Sequence, residues 1–476
     1  MTPDEYALHD ATDLAALVRD GDVSPGELLD AAIDQIQARN PAINAVIHTM
    51  YDEARATIAA GLPDGAFTGV PFLLKDLGAQ YKGVPTTSGS RLFRDTVPDH
   101  DSNLVSRYRA AGLVICGKTN TPELGLATTT EPVLHGPTRN PTDLAYSAGG
   151  SSGGAAAAVQ AGFVPMAHAS DGGGSIRIPA SACGVFGLKP TRARTPMGPD
   201  IGEGWNGSSI SHAVTATVRD SAALLDATAG EDLGAPYAAP HQQRPYVDEV
   251  GADPGRLRIA LVTGAFNRTP VDAACASAAH QSASLAESLG HHIEEAQPDF
   301  DGEALAEAHA SIVFANIANL LDSAGIAQGT AVTLDDVERV TLANATLGRN
   351  ISAAEYIRSV QTVHRVGREF AAFLSNFDVM LTPTMACQTP RLGMLNMNGE
   401  DADAYAALIN RTIGFTSLFN NTGCPAMSLP LVTGSNGLPI GIQFGASFGR
   451  EDLLFRLAAQ LESACPWHTE HRSDHG

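Results

Sequence analysis

GGSSGGAAAAVQAGFVPMAHASDGGGSIRIPASACGVFGLKP, residues 149–190, holds two glycine-rich serine loops. The first, Gly149-Gly150-Ser151-Ser152-Gly153-Gly154, runs into an alanine-rich segment that predicts a helix. The second, Asp171-Gly172-Gly173-Gly174-Ser175, runs into Ile176-Arg177-Ile178-Pro179. Glycine permits positive φ and close approach of backbone to a ligand. Consecutive N–H groups in such a turn can converge on an anion, as in an oxyanion hole or a phosphate nest. Two such loops, each offering a serine hydroxyl, point to acyl-transfer chemistry. A glycine-rich turn before a helix also suits phosphate. No lysine follows in the G-x-x-x-x-G-K-[ST] pattern, so nucleotide binding is the weaker reading.

Outward from this stretch the chain alternates strand and helix. Val70 to Lys75 reads as a short buried strand ending in lysine, Leu104 to Ala111 as a helix and Leu113 to Cys116 as a strand. Val159 to Ala169 joins a helix end to a short apolar segment. Ile259 to Val262 is a strand, Thr269-Pro270-Val271-Asp272 caps a helix running to Gly290, and Val379 to Leu381 and Ile440 to Gln443 are further strands. Glu451 to Leu461 closes the chain as a helix. The alternation predicts an α/β fold with a large mixed β-sheet, in one domain over residues 1–476 with its core at 66–476. Residues 1–65 read as an N-terminal helical cap. Leu14, Leu17 and Val18 share one face, Ser24-Pro25-Gly26-Glu27 is a capping box before the stripe Leu28, Leu29, Ala32, Ile33 and Ile36, and Asn40-Pro41 stops that helix. A third helix spans Tyr51 to Ala60. Residues 301–375 are mostly helical and polar-faced, a candidate wall for a substrate cleft.

Composition narrows the partners. A formal net charge of −22 opposes a nucleic-acid footprint, which needs clustered Lys and Arg. The six cysteines, Cys116, Cys183, Cys275, Cys387, Cys424 and Cys465, form no C-x-x-C pair and read as mostly buried thiols. The start, Met1-Thr2-Pro3-Asp4-Glu5, has no apolar signal region, and no run of about 18 apolar residues suggests a membrane span. The expected location is the cytoplasm.

A serine hydroxyl needs a base near neutral pH. Gly150-Ser151-Ser152-Gly153-Gly154 matches G-x-S-x-G with Ser152 in the nucleophile slot, but that elbow must follow a buried strand, and Pro141 to Tyr146 is not one. Among the histidines, His291, His292, His468, His471 and His475 read as solvated, and His168 as a packed structural residue. The other base available is Lys75. Burial would lower its pKa and leave an amine able to take a proton from serine. Pairing with Asp76, or snorkelling to the surface, is an equally open reading on spacing alone. Asp171 and Arg177 flank the second loop, and their expected role is to hold it through charge-assisted hydrogen bonds.

Taken together, these segments resemble the amidase signature enzymes. The match rests on Gly149 to Gly154, Asp171 to Pro179, Gly184 to Pro190, Gly69 to Asp76 (GVPFLLKD), Gly117-Lys118-Thr119-Asn120, Gly136 to Pro141, Leu381-Thr382-Pro383-Thr384 and Gly437 to Gln443. The resemblance implies a sheet covered by helices on both faces and a Ser–cis-Ser–Lys triad. Ser175 would be the nucleophile, Ser151 the bridging serine after a cis peptide, and Lys75 the neutral base. The N–H groups of Gly172, Gly173, Gly174 and Ser175 would form the oxyanion hole, with Ser152 supporting. No metal or organic cofactor is implied.

The family includes the glutamine-hydrolysing subunit of the tRNA-dependent amidotransferase. Ile413 stands where that subunit has an acidic residue, and Asn350 to Tyr356 replaces its Gly-Tyr-Tyr-Asp pattern. The detail around SDGGGSIRIPASACGVFGLKPTRAR and TTTEP looks more like bacterial amidases of the cyclic-dimer hydrolase, aryl acylamidase and urethanase type. The implied activity is hydrolysis of small-molecule amides or carbamates, with esters as a side activity; a glutaminase subunit and a serine esterase are the alternatives. Substrate contacts are expected from Thr128, Thr129 and Thr130, from Ile312 to Leu347 and from Leu392 to Phe419. Relatives of this kind are often dimers, so a homodimer is the implied assembly.

Overall fold

The computed structural model describes residues 1–467; the tail histidines His468, His471 and His475 lie outside the described residues. Eleven strands form one sheet: β1 Val46–Thr49, β2 Pro71–Lys75, β3 Val114–Thr119, β4 Met166–Asp171, β5 Phe186–Lys189, β6 Ile210–Thr215, β7 Arg258–Leu261, β8 His292–Glu295, β9 Val379–Pro383, β10 Ala426–Thr433 and β11 Pro439–Ala446. Their order is β1-β3-β2-β4-β6-β5-β10-β11-β9-β7-β8. β2 runs parallel to β3 and β4, and β7 runs parallel to β8 and β9. The other pairings are antiparallel, so the sheet is mixed.

Helices cover both faces, and the strand period shows why. Successive side chains on a strand point to opposite faces. In β2, Leu73 joins a core with helices Gly153–Gln160 and Arg177–Cys183. Its neighbours Phe72 and Leu74 join another core with Leu14, Leu104, Val105 and Tyr108. At the far end Ile259 and Leu261 pack with helices Ala273–Ser288 and Glu451–Ala464, while Ala260 packs with Leu305, Ile312, Val363 and Phe370. A strand buried on both faces reads as a continuous apolar run. Each fully buried large apolar side chain of this kind contributes about 1.5–3 kcal/mol.

Five strands have no counterpart in the sequence expectation. β1 and β8 are four-residue edge strands with exposed positions, too short and polar to stand out. β5 is also only four residues, and the six-residue β6, ISHAVT, carries Ser211 and His212 that interrupt its apolar run. β10 contains Pro430, which argues against a strand. The register shifts between Leu429 and Val432, so the proline sits in a bulge where its missing N–H breaks no regular pair.

Four further expectations are corrected. Helix Pro25–Ile43 does not stop at Asn40-Pro41. It ends at Asn44 (φ 58°), whose N–H donates to the Asn40 carbonyl, while the Asn40 side chain accepts from the N–H groups of Ala45 and Val46. Asp272 precedes helix Ala273–Ser288 without a side-chain capping bond, because its carboxylate accepts from Arg411 instead. His291 is buried, not solvated: Nδ1 accepts from the Leu257 N–H and Nε2 pairs with Gln460. Helix Gly302–Gln328 is, by length and composition, long and apolar enough to cross a membrane. Its Leu305, Ile312, Val313 and Leu321 are buried in the protein.

Candidate active site

β2 and β4 are parallel neighbours, so their carboxyl ends emerge on one edge. That edge is where open α/β sheets place ligands. Lys75 is the last residue of β2, and Ser170 and Asp171 are the last of β4. The first glycine loop lies against them, and the Gly150–Ser151 peptide is cis. A Cβ on Gly150 would lie 2.5 Å from the Thr129 carbonyl oxygen, so only glycine fits there.

Lys75 Nζ is 2.7 Å from Ser151 Oγ and 3.0 Å from Ser170 Oγ. The side chain is fully buried. Burial pushes its pKa down to about 7, against a smaller upward pull from Asp171. The Lys75 N–H donates to His168 Nδ1 at 3.2 Å. Burial, followed by the charge of Lys75, pushes His168 down to about 3, so this imidazole is neutral and braces the lysine backbone.

The second loop is held from beneath. Asp171 accepts from Arg177 Nε at 3.0 Å and Nη2 at 2.9 Å, from the Gly174 N–H at 2.7 Å and from the Ile176 N–H at 3.1 Å. Arg177 also donates to the Thr416 carbonyl, Gln443 Oε1 and Asn420 Oδ1. Burial pushes the Asp171 carboxyl up, but Arg177 outweighs it and leaves the group well below the usual carboxylate range. Both side chains are fully buried, so they shape the loop without reaching the cavity. Thr416 Oγ1 donates to the Gly173 carbonyl at 2.6 Å.

Ser151, Ser170, Gly172 and Ser175 share one cavity of about 560 Å³ with Leu77, Leu124, Met197, Trp205, Asn316 and Ile317. The two loops are joined by the Ser152 N–H, which donates to the Ser175 carbonyl at 3.3 Å. Among the described residues no hydrogen bond joins the hydroxyls of Ser151 and Ser175. Ser152 is fully buried, and its Oγ donates to the Ser170 carbonyl and accepts from the Ser170 N–H. Among the described residues no group of three His, Cys, Asp or Glu side chains could hold a metal ion.

Two expectations about these residues change. The Gly174 N–H is engaged by Asp171, so it is not free for an oxyanion. Thr128, Thr129 and Thr130 do not line the cavity. Their hydroxyls pair with Thr412, with Glu131 and Ser147, and with the Gly149 carbonyl, bracing the first loop from behind. Of the other expected wall segments, Ile312 to Leu347 contributes Asn316, Ile317, Asn319, Leu320 and Ser323. Leu392 to Phe419 contributes none of the lining, and its Thr416 supports the loop instead. Sequence reading missed Ser170 and Trp205. Ser170 directly precedes the DGGGS motif, which was a usable signal. Trp205 packs on Gly172, where a Cβ would lie 2.6 Å from the indole, and no local pattern announces that contact.

A family model described as Amidase matches residues 27–455. The chain is 41% identical over 470 residues to the 6-aminohexanoate-cyclic-dimer hydrolase of Pseudomonas sp. (strain NK87), covering 96% of this chain and 95% of that protein. A solved structure of 6-aminohexanoate cyclic dimer hydrolase complexed with substrate superposes with a TM-score of 0.91 at 39% identity, over 97% of this chain and 98% of that one. A bacterial aryl acylamidase of the amidase signature enzymes superposes with a TM-score of 0.90 at 28% identity, over 98% and 99% of the two chains.

Proposed function

The chain belongs to the amidase signature family of amide hydrolases, and on that premise we propose that it works through an acyl-enzyme on Ser175, with Ser151 and Lys75 as the proton relay. The observation that carries this reading is a buried lysine, its pKa pushed down by burial to about 7, that lies 2.7 Å from the hydroxyl of Ser151 in a cavity that also presents Ser175.

The neutral amine of Lys75 accepts a proton from Ser151 while Ser151 takes one from Ser175. The Ser175 oxygen attacks the amide carbonyl, and the oxyanion settles against the N–H groups of Gly172, Gly173 and Ser175. Removing one donor of such a hole typically costs about 10²–10³ in rate. The proton returns through Ser151 to the leaving nitrogen, the C–N bond breaks and the amine departs. Water then adds to the ester carbonyl by the same relay, releasing the acid and restoring Ser175. The relay needs neither a metal nor an organic cofactor.

Relatives named for cyclic-dimer and aryl acylamide hydrolysis support a broad amide range, and we extend it to carbamates and esters because they present the same carbonyl to Ser175. The serine-esterase alternative through Ser152 is disfavoured, since that hydroxyl is buried and tied to Ser170. A cytoplasmic homodimer is part of the reading, and sedimentation of the purified protein checks the dimer. The direct test is a panel containing an anilide, a linear aliphatic amide, a cyclic amide, an aryl carbamate and an aryl ester, with Ser175→Ala as the blank. Amide turnover with a silent blank is the expected result. Equal turnover by the blank would overturn the assignment of Ser175.

A further inference from the structure

The charge of the cavity wall separates substrates that the amidase reading alone leaves together. Among the described residues lining the cavity there is no Lys, Arg or His; the charged ones are Asp200 and Glu203. The rest of the polar wall is neutral, with Gln80, Thr86, Ser88, Asn316 and Asn319 among its members. The cations beside the wall are engaged elsewhere. Lys118 is fully buried behind Thr86, to whose hydroxyl it donates, and lies 3.9 Å from Asp76. Lys75 lies fully buried on Ser151 and Ser170. Arg192 donates to the carbonyls of Gly207 and Asn421, and its charge is shared with Glu203. His100 pairs with Asp99 and with Asp200, one of the two acidic lining residues. The chain as a whole carries −22.

A carboxylate brought into this space would lose water and find no Lys, Arg or His among the lining residues, whose charged members, Asp200 and Glu203, are both acidic. Burying an unpaired charge is strongly unfavourable. An ammonium meets the opposite situation, and a neutral chain meets hydroxyls, amides, Leu77, Leu124 and Ile317. We propose that the cavity excludes carboxylate-bearing amides and takes substrates whose two halves are uncharged or end in an ammonium. The proposal rests on the amidase reading above. Hydrolysis itself makes a carboxylate next to Ser175, so the same wall favours departure of the acid product.

The test uses three 4-nitroanilides of similar length, hexanoyl, 5-aminopentanoyl and glutaryl, at pH 8 and low salt. The glutaryl compound is expected to have a kcat/KM at least about tenfold below the hexanoyl compound, with the 5-aminopentanoyl compound equal to or above it. Asp200→Asn/Glu203→Gln is expected to narrow the gap for the glutaryl compound. Glutaryl turnover as fast as hexanoyl would overturn the proposal.

Binding separates this proposal from the reading it rests on. In the Ser175→Ala protein, the same three acyl chains as simple anilides can be titrated against the fluorescence of Trp205, which lines the cavity. Weak binding of the glutaryl chain supports charge exclusion even if no anilide is hydrolysed. Equal binding of the three overturns it even if all are hydrolysed. Failure of the wild-type protein to cleave the hexanoyl compound would count against the amidase relay alone.

Discussion

The pH dependence of kcat/KM follows from the burial of Lys75. Its pKa falls from 10.5 to about 7, and the leading cause is burial of the ammonium. At about 1.4 kcal/mol per unit, that shift corresponds to about 5 kcal/mol of penalty on the charged form. The relay needs the neutral amine, so activity should track the deprotonated fraction. With a pKa of about 7, kcat/KM at pH 7 is about half of its plateau and at pH 6 about a tenth. An unshifted lysine would leave roughly one molecule in 3,000 neutral at pH 7, and the rate would climb tenfold per unit up to about pH 10. The assay is release of 4-nitroaniline from an uncharged anilide between pH 5 and pH 10, with substrate well below KM. A single-proton rise levelling off by about pH 8 is the expected profile. A climb that continues to pH 10, or no dependence above pH 5, would refute the neutral-lysine argument. The sign for stability is separate. Between pH 7 and 10.5 the unfolded chain holds a proton on Lys75 that the folded chain lacks. This group therefore makes folding more favourable as pH rises through that window.

Other substitutions test the supports of the site. Ser170→Ala removes one of the two hydroxyls on Lys75 Nζ; a loss of about 1 kcal/mol should lower kcat about fivefold and shift the pH profile, with thermal unfolding little changed. Asp171→Asn leaves Arg177 as a buried charge without its anion. Destabilisation of about 3–5 kcal/mol is expected in denaturant titrations, because breaking a buried pair strands its partner. Ser152→Ala loosens the tie to Ser170 but leaves the proposed nucleophile, Ser175, in place. Reduced but measurable anilide turnover is expected, and complete loss confined to this variant would favour the esterase alternative.

Sequence and structure agree where the chemistry is local. The apolar run into Lys75 had to be a strand buried on both faces, because Phe72, Leu73 and Leu74 leave no polar side to face water. The glycine loops were read as places where backbone approaches a ligand; at Gly150 the close approach is instead to the Thr129 backbone. What stayed hidden depends on contacts far apart in the chain. Thr128, Thr129 and Thr130 looked like substrate contacts, yet their hydroxyls are consumed by loop bracing that involves Thr412, Ser147 and Gly149. The loss of the Gly174 N–H to Asp171 depends on how tightly the turn closes, which composition does not reveal. The strand carrying Pro430 was obscured because a bulge absorbs the proline. Trp205, with a φ of 51°, reaches the cavity from a loop with no repeating pattern.

The central claim is covalent catalysis at Ser175. Its most direct test is mass spectrometry of the protein quenched in acid within milliseconds of mixing with a saturating aryl ester, followed by peptide mapping. The account predicts one acyl group on the peptide carrying Ser175, absent from the Ser175→Ala protein. An acyl group on Ser152 or any other residue, or one that persists in the Ser175→Ala protein, would contradict it.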